Sequence, residues 1–201
     1  MRRIFILIIV IFCFGNIYSQ TAEEYYKSGF EKSKLDDFQG AIIDFTKAIE
    51  LNPKFAVVYS SRGILKFLLN DYRGAILDFN KSIEIDPNNY LDYYYRGFSK
   101  FKLEDYISAI SDYTRVIELN SDYTEAYYFR GRSKGILHDY RGSILDLTKA
   151  IELKADYVDA YIVRGSARLY LKQKDSACLD FSKAGELGSS EAYEMIKKYC
   201  N

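Results

Sequence analysis

Residues Tyr90 to Tyr123 read YLDYYYRGFSKFKLEDYISAISDYTRVIELNSDY, a stretch of 34 residues that the chain repeats. When the sequence is written in rows of this length, its columns align without a gap. Three columns show the phase most clearly: Tyr25, Tyr59, Tyr93, Tyr127 and Tyr161; Gly29, Gly63, Gly97, Gly131 and Gly165; Asp44, Asp78, Asp112, Asp146 and Asp180. A period between about 20 and 50 residues predicts a stack of similar structural units.

Each row predicts two helices. In the central row the first helix is expected from about Asp92 to Leu103, and the second from about Tyr106 to Leu119. Apolar residues recur at steps of three and four in the second segment, which is typical of an amphipathic helix. The join at Leu103–Asp105 is short and polar, so the two helices should be antiparallel.

The glycine column falls inside the first helix, where glycine costs about 1 kcal/mol relative to alanine. A cost that recurs in every unit needs a structural reason. The second helix carries a column of small residues: Ala41, Ala75, Ala109, Ser143 and Ala177. We expect glycine opposite these small residues to let the two helix backbones approach closely, with aromatic side chains filling the space on either side.

These columns resemble the tetratricopeptide repeat, whose pattern runs aromatic, small, aromatic, Ala, aromatic, Ala and Pro. The first two rows supply it as Tyr25, Gly29, Phe38, Ala41, Phe45, Ala48 and Pro53, then Tyr59, Gly63, Tyr72, Ala75, Phe79, Ser82 and Pro87. The later rows depart from it at Lys174 and at the three missing prolines, Ser121, Ala155 and Ser189. The resemblance implies an all-α solenoid of five helix-turn-helix repeats. The predicted repeats are 22–55, 56–89, 90–123, 124–157 and 158–189.

The two ends of the chain differ from the repeats. Arg2 and Arg3 precede an apolar run from Ile4 to Phe14, and small and polar residues follow, which is the pattern of a secretory signal over residues 1–19. The run is shorter than a typical membrane span of about 20 residues, and an uncleaved anchor is the alternative. Residues 190–201 predict a C-terminal capping helix that shields the last repeat.

Composition and motifs exclude several classes of function. Removal of residues 1–19 leaves 26 basic against 28 acidic residues, a balance that argues against binding to nucleic acid or to an anionic membrane. The chain contains no nucleotide-binding, zinc-protease or serine-hydrolase motif. The adjacent acids Glu104–Asp105 and Asp36–Asp37 lie in predicted turns without a neighbouring base. We therefore expect a protein without enzymatic activity, cofactor or metal.

Two cysteines remain after the predicted cleavage, Cys178 and Cys200. Cys178 occupies a column otherwise held by isoleucine, and Cys200 ends the capping helix. In an exported protein an even number of cysteines predicts a disulfide, and two unconnected thiols are the alternative. A bridge here would stabilise the end of the stack by about 3 kcal/mol in the chain-entropy model.

An arginine column, Arg62, Arg96, Arg130 and Arg164, precedes the glycines at a position that is usually apolar in the family. The aspartate column offers partners in two registers, within one unit or between successive units. We favour the second register because it explains why the first row has Ser28 instead of arginine. It pairs Asp44–Arg62, Asp78–Arg96, Asp112–Arg130 and Asp146–Arg164 as a structural ladder, and arginines that hold an acidic ligand are the alternative.

The predicted partner-binding surface lies on the first helices, which face the inside of the curve in the family geometry. Its main members are Tyr26, Phe30, Ile64, Phe67, Tyr94, Tyr95, Phe98, Phe101, Tyr128, Phe129 and Arg132. Ser60 belongs to the same face in the second row, and Ile162, Val163, Ser166 and Leu169 continue it in the fifth. Aromatic residues on one face indicate a groove for an apolar or aromatic peptide or helix.

The sequence therefore favours a secreted or periplasmic interaction module, a monomer that binds a protein or peptide partner in a concave aromatic groove. The alternative is a structural subunit of a cell-envelope assembly that self-associates through its repeats. The partner's identity, the pathway served and the final compartment beyond export do not follow from the residues.

Overall fold

The computed structural model describes residues 20–200, which form eleven helices and no strand. The helices are α1 Ala22–Lys34, α2 Phe38–Leu51, α3 Ala56–Leu68, α4 Tyr72–Ile85, α5 Tyr90–Lys102, α6 Tyr106–Leu119, α7 Thr124–Ile136, α8 Tyr140–Leu153, α9 Val158–Tyr170, α10 Lys174–Glu186 and α11 Ser190–Tyr199. The predicted all-α solenoid of five helix pairs is confirmed. The predicted signal, residues 1–19, lies outside the described residues and stays a prediction.

The turn inside each pair is built by two adjacent residues. The first adopts a left-handed backbone conformation, with φ between 60° and 65°, at Asp36, Asn70, Glu104, His138 and Lys172. In the first four pairs the second is an aspartate, whose side chain accepts a hydrogen bond from the amide three residues ahead, as between Asp105 and Ser108. Such a cap satisfies a helix amide that has no partner within the helix. The tight turn makes the two helices antiparallel.

The glycine column marks the closest approach within each pair. A Cβ atom built on Gly165 would lie 2.6 Å from Cε1 of Phe181, and one on Gly29 would lie 2.7 Å from Cε1 of Phe45. In four of the five units the glycine faces an aromatic ring of the second helix, and in the fourth unit Gly131 faces Leu147. The expectation of close approach holds, but the large side chain four residues after the small residue, and not the small side chain itself, occupies the space opposite glycine.

We expect Gly165→Ala to lower the free energy of unfolding by about 1–3 kcal/mol, the usual cost of overpacking a core. The ring of Phe181 is fully buried, so it must shift within the core to accept the new methyl group. Gly135→Ala is the matched control in a helix of the same stack. Its Cβ would meet only the Ser143 side chain, at 3.2 Å from Oγ, so this variant should keep or gain stability. Urea unfolding of both variants measures the difference, and equal losses would contradict the packing argument.

Successive pairs stack so that the first helices line one side of the solenoid. The first helix α5 contacts both α3 and α7, and α7 contacts α9, in addition to the contacts within and between neighbouring pairs. Helix α11 packs against α10 and is capped by Ser189, whose hydroxyl accepts a hydrogen bond from the amide of Ala192. No helix among residues 20–200 has the length and apolar character needed to cross a membrane.

Candidate functional site

The arginine and aspartate columns form ion pairs within each unit. In the third unit, Arg96 donates from Nε and Nη2 to the two carboxylate oxygens of Asp112, at 3.0 and 2.5 Å, and Lys100 donates to the same carboxylate at 2.8 Å. The same arrangement occurs in the second, fourth and fifth units, as Arg62–Asp78, Arg130–Asp146 and Arg164–Asp180. The predicted register between successive units is therefore wrong: Asp44–Arg62, Asp78–Arg96, Asp112–Arg130 and Asp146–Arg164 are not the pairs.

The periodicity of the second helix explains the correct register. Residues two apart on a helix point about 200° away from each other. Asp44 faces its own first helix, where Lys32 and Ser28 donate to it, whereas Thr46 faces the next unit. Arg62 therefore reaches back to Thr46, at 2.9 Å from Nη1, while its fork binds Asp78. In the first unit Ser28 takes the place of the arginine and donates to Asp44, and among residues 20–200 no earlier helix offers a hydroxyl to that position.

In the first unit the carboxylate of Asp44 has a different set of donors. Burial by itself would raise its pKa, but the hydrogen bonds from Lys32 and Ser28 outweigh burial, so the pKa lies below its ordinary value. Each member of the aspartate column is buried and satisfied by groups of its own unit. These carboxylates and arginines form a structural ladder. Each arginine of the column is paired with an aspartate, so its guanidinium is not free to hold an acidic ligand.

The predicted aromatic surface is largely filled by its own rings. Phe67 lies 5.4 Å from both Tyr95 and Phe98, and Phe98 lies 4.6 Å from Phe129, measured between ring centroids. We call these rings and Phe101 the aromatic row. Its members are half-buried, and aromatic pairs at such distances contribute about 0.5–1.5 kcal/mol each beyond their buried area. In the middle of the stack the inner face is therefore a packed surface and not an open groove.

The other residues predicted to contact a partner differ in how far their side chains are exposed to solvent. Tyr26 packs against Phe45 and Phe55, and Ile64 and Tyr94 are half-buried. Tyr128 is buried, whereas Phe30 and Arg132 are exposed. Phe30, in the first unit, carries Lys34 over its ring at 4.5 Å. Arg132 is an exposed member of the predicted set that lines open space on the inner face, beside the buried Tyr128.

That open space is a groove in the C-terminal half of the inner face, which we call the C-terminal groove. Its largest cavity has a volume of about 410 Å³ and lies between α7, α9 and the start of α11. Two adjoining cavities of about 240 and 310 Å³ share lining residues with it and extend it toward Tyr128 and toward Tyr199. The fifth-row residues predicted for the inner face all line this groove: Ile162, Val163, Ser166 and Leu169.

The groove has an apolar floor and a rim of mixed charge. Ile162 and Val163 contribute to the floor, while Arg132, Asp159 and Glu191 line it with both signs of charge. The guanidinium of Arg132 lies 5.1 Å from the centre of the Phe101 ring, so it borders the end of the aromatic row. Burial raises the pKa of the neighbouring Tyr128, and Arg132 partly offsets that rise. Such a surface fits a mainly apolar segment with polar groups at its edges.

A buried carboxylate outside the ladder was missed by sequence reasoning. Asp92 replaces the apolar or small residues Val58, Ala126 and Ala160 of other rows and has no exposed surface. Its two oxygens accept hydrogen bonds from Ser60 and Ser82, at 2.5 and 2.6 Å, and burial raises its pKa. Because the hydroxyls satisfy it and no solvent reaches it, Asp92 is a packing feature. Residues 20–200 hold no cluster of side chains suited to a metal ion.

Sequence reasoning also missed an aliphatic stripe on the second helices. Its members recur with the period of the repeat and are between 57% and 72% exposed: Ile43, Leu77, Leu145 and Leu179. The same column could have been read from the sequence, because it carries an apolar residue in every row except at Ser111. We call this surface the outer stripe.

Cys178 on α10 and Cys200 at the end of α11 lie together, with their sulfur atoms in bonding contact and 22 residues apart in sequence. This is the placement that the predicted bridge requires. The oxidised state of the protein in solution stays a prediction.

Comparison with known proteins points to one repeat family. The model of the tetratricopeptide repeat matches residues 22–55 and 56–89. The protein in a crystal structure of MamA is 26% identical in sequence to this chain, and the two structures superpose with a TM-score of 0.79 over 89% of this chain and 94% of that chain. MamA from Desulfovibrio magneticus RS-1, residues 41 to the end, is 20% identical, with a TM-score of 0.79 over 84% and 96%.

A further similar structure is that of YrrB, a TPR protein with an unusual peptide-binding site. It is 22% identical to this chain, with a TM-score of 0.82 over 88% of this chain and 92% of that chain. At this identity the likeness shows the fold alone. The comparison with curated proteins finds no match.

Proposed function

Because the chain is a tetratricopeptide repeat protein, we propose that it is a non-enzymatic interaction module that binds a peptide or helix of a partner in the C-terminal groove. The observation that supports this proposal most is the coincidence of open volume with the inner face. Tetratricopeptide repeat folds generally bind protein or peptide partners, and a peptide-binding site is part of the description of YrrB. Here the aromatic row closes the middle of that face, which leaves the groove between α7, α9 and α11.

The chemistry of the groove suggests the kind of segment that it binds. An apolar floor at Ile162 and Val163 favours a segment with at least one large apolar side chain. The charged side chains of Arg132 and Glu191 line the groove and can contact polar groups of the bound segment, in its backbone or in neighbouring side chains. The chain would bind this segment as a monomer, without a cofactor.

Export is part of the same proposal. The leader pattern of residues 1–19 and the juxtaposition of Cys178 with Cys200 both suit a secreted or periplasmic protein, because disulfides persist in oxidising compartments. The module would therefore meet its partner in the cell envelope or outside the cell.

Selection from a phage-displayed library of random peptides tests the function. We expect the purified chain to enrich peptides that lose more than about tenfold in affinity on Val163→Asp and on Arg132→Glu, since a groove contact of at least about 1.4 kcal/mol disappears. Arg141→Glu, an exposed residue on α8 outside the groove, makes the same charge change and is the control. Fluorescence anisotropy of the selected peptides provides the measurement.

A second function is favoured by the outer stripe. Exposed aliphatic side chains in register along a solenoid suit self-association in a structural assembly. If selection enriches no groove-dependent peptide, and the chain sediments as an oligomer that Leu77→Glu dissociates, the structural role replaces the interaction module.

A further inference from the structure

The C-terminal groove contains the position of a missing aromatic ring. One column on the first helices reads Ser33, Phe67, Phe101, Gly135 and Leu169. Phe67 and Phe101 belong to the aromatic row and fill the space beside the second helix of their own unit, where they contact Tyr72 and Tyr106. At Gly135 the same space lies open and forms part of the cavity of about 410 Å³.

The neighbours of the Phe101 ring show which residues should surround the open space beside Gly135. Its ring lies 5.3 Å from Tyr106, 5.6 Å from Phe129 and 6.3 Å from Phe98, and Arg132 lies over it at 5.1 Å. A shift of one repeat converts these four neighbours into Tyr140, Val163, Arg132 and Ser166. All four line the cavity beside Gly135. The cavity is thus the ring site of the third repeat carried into the fourth without its ring, and the Tyr170 ring stacks on Tyr140 at its edge, 4.6 Å between ring centroids.

Two departures from the repeat meet at this point, and each costs stability. Gly135 lies within α7 and has no packed ring opposite it, in contrast to Gly165, so its cost of about 1 kcal/mol as a helix residue has no packing reason. Ser143 replaces the alanine of the other four rows. Its Oγ is buried and has no hydrogen-bond partner among residues 20–200, although a buried unpaired hydroxyl is unfavourable. The Oη of Tyr113 is also buried without a hydrogen-bond partner among residues 20–200, but of these two residues only Ser143 lines the cavity.

We propose that this cavity binds a tyrosine side chain of the partner segment, which supplies the missing ring and a hydrogen bond to Ser143. The proposal rests on the interaction-module function and names the side chain that the groove selects. The ring would lie among Tyr140, Val163, Arg132 and Ser166, as Phe101 lies among their counterparts.

The direction of entry distinguishes tyrosine from phenylalanine. The ring of Phe101 starts at the helix and points away from it, whereas a partner's ring enters from the open side with its far end toward α7. The far end then points toward α7 and Ser143, whose buried Oγ lines the cavity and has no hydrogen-bond partner among residues 20–200. A phenol hydroxyl that reaches this oxygen forms the hydrogen bond that the surrounding residues do not supply. Phenylalanine would leave Ser143 unpaired.

Free p-cresol and toluene, the side chains of tyrosine and phenylalanine, are the probes for a test by methyl NMR of the full chain. We expect p-cresol to produce saturable shifts at the methyl groups of Ile136, Ile162 and Val163. The affinity ratio of p-cresol to toluene should fall by about 3–10-fold in Ser143→Ala, which removes one buried hydrogen bond. Because alanine occupies this position in the other four repeats, the variant is expected to fold.

Gly135→Phe/Ser143→Ala tests the ring site itself, because it copies the Phe101 and Ala109 pair of the third repeat. It should keep the helical circular dichroism of the parent and lose the p-cresol shifts. Gly135→Leu, which copies Leu169, serves the same purpose if the double variant does not fold. Absence of saturable shifts in the parent, or shifts that persist in the filled variants, would overturn the ring site. An affinity ratio unchanged by Ser143→Ala would overturn the preference for tyrosine.

The p-cresol experiment and the peptide selection test two different claims, the ring site and the proposed function. If groove-dependent peptides are selected but p-cresol does not bind and the peptides carry no tyrosine, the interaction module stands and this inference falls. If p-cresol binds beside Gly135 but no peptide is selected, the ring site stands and the proposed function falls.

Discussion

Asp112→Asn is expected to lower the free energy of unfolding by about 3–5 kcal/mol, the cost of removing one partner from a buried ion pair. The carboxylate has only 4% of its side chain exposed, and it receives Arg96 and Lys100 at the same time. Without its charge, two cations that are 16% and 19% exposed face each other beside a neutral amide. Repulsion and incomplete solvation both act against the folded state. Because each unit contacts only its neighbours, the loss should appear first in α5 to α7.

Glu118→Gln is the matched control for this variant. It lies on the same helix, removes the same charge and breaks the pair with Arg115, but its side chain is 55% exposed. An exposed pair contributes about 0–1 kcal/mol, so the control should unfold close to the parent. Urea unfolding followed by circular dichroism measures both variants. Equal midpoints for the two would mean that water reaches the ladder and that its carboxylates are not held by burial.

Replacement of the whole cluster separates charge from packing. Arg96→Met/Lys100→Met/Asp112→Leu removes three charges and leaves none unpaired in the cluster, and a buried ion pair exchanged for apolar residues is often neutral or stabilising. Its stability should therefore exceed that of Asp112→Asn. A triple variant less stable than the single one would show that the hydrogen bond from Arg96 to Asn80, which joins two units, matters more than the pair with Asp112.

The fold could be predicted from the sequence because a repeat supplies many copies of the same evidence. The second helix of the central row was predicted at Tyr106–Leu119, which is where α6 lies, and the first differed from α5 by two residues at its start and one at its end. The ladder register could not be predicted from the period alone, because Asp and Arg columns repeat equally in either pairing. The column Thr46, Asn80, Thr114 and Thr148 held the missing information, since it marks the face that meets the next unit.

The candidate site could be predicted only in part. The inner-face residues of the fifth row were identified, and they line the C-terminal groove. Whether Phe67, Phe98 and Phe129 pack together or stand apart depends on the spacing between units, and sequence periodicity does not report that spacing. The departure that opens the cavity was visible as one glycine in a column of larger residues, but its meaning needed the ring contacts of Phe101.

Cys178→Ala/Cys200→Ala is expected to lower the stability of the C-terminal end by about 3 kcal/mol relative to the oxidised parent, because a bridge between residues 22 apart restricts the unfolded chain. Helix α11 packs mainly on α10, with Ala192 also in the buried cluster of Ile162, and the bridge fastens this helix at the C-terminal end of the described stack. Hydrogen exchange should therefore accelerate in α11 while α1 and α2 stay unchanged.

Reductant distinguishes the bridge from the packing of the two side chains. Addition of reductant to the parent should reproduce the exchange pattern of the double variant, and it should have no effect on the variant itself. Because loss of the Cys178 side chain also removes half-buried packing, only the part of the change that reductant reproduces belongs to the disulfide. If reductant leaves α11 exchange in the parent unaltered, the cysteines are unconnected thiols. Export would then be supported by the pattern of residues 1–19 alone.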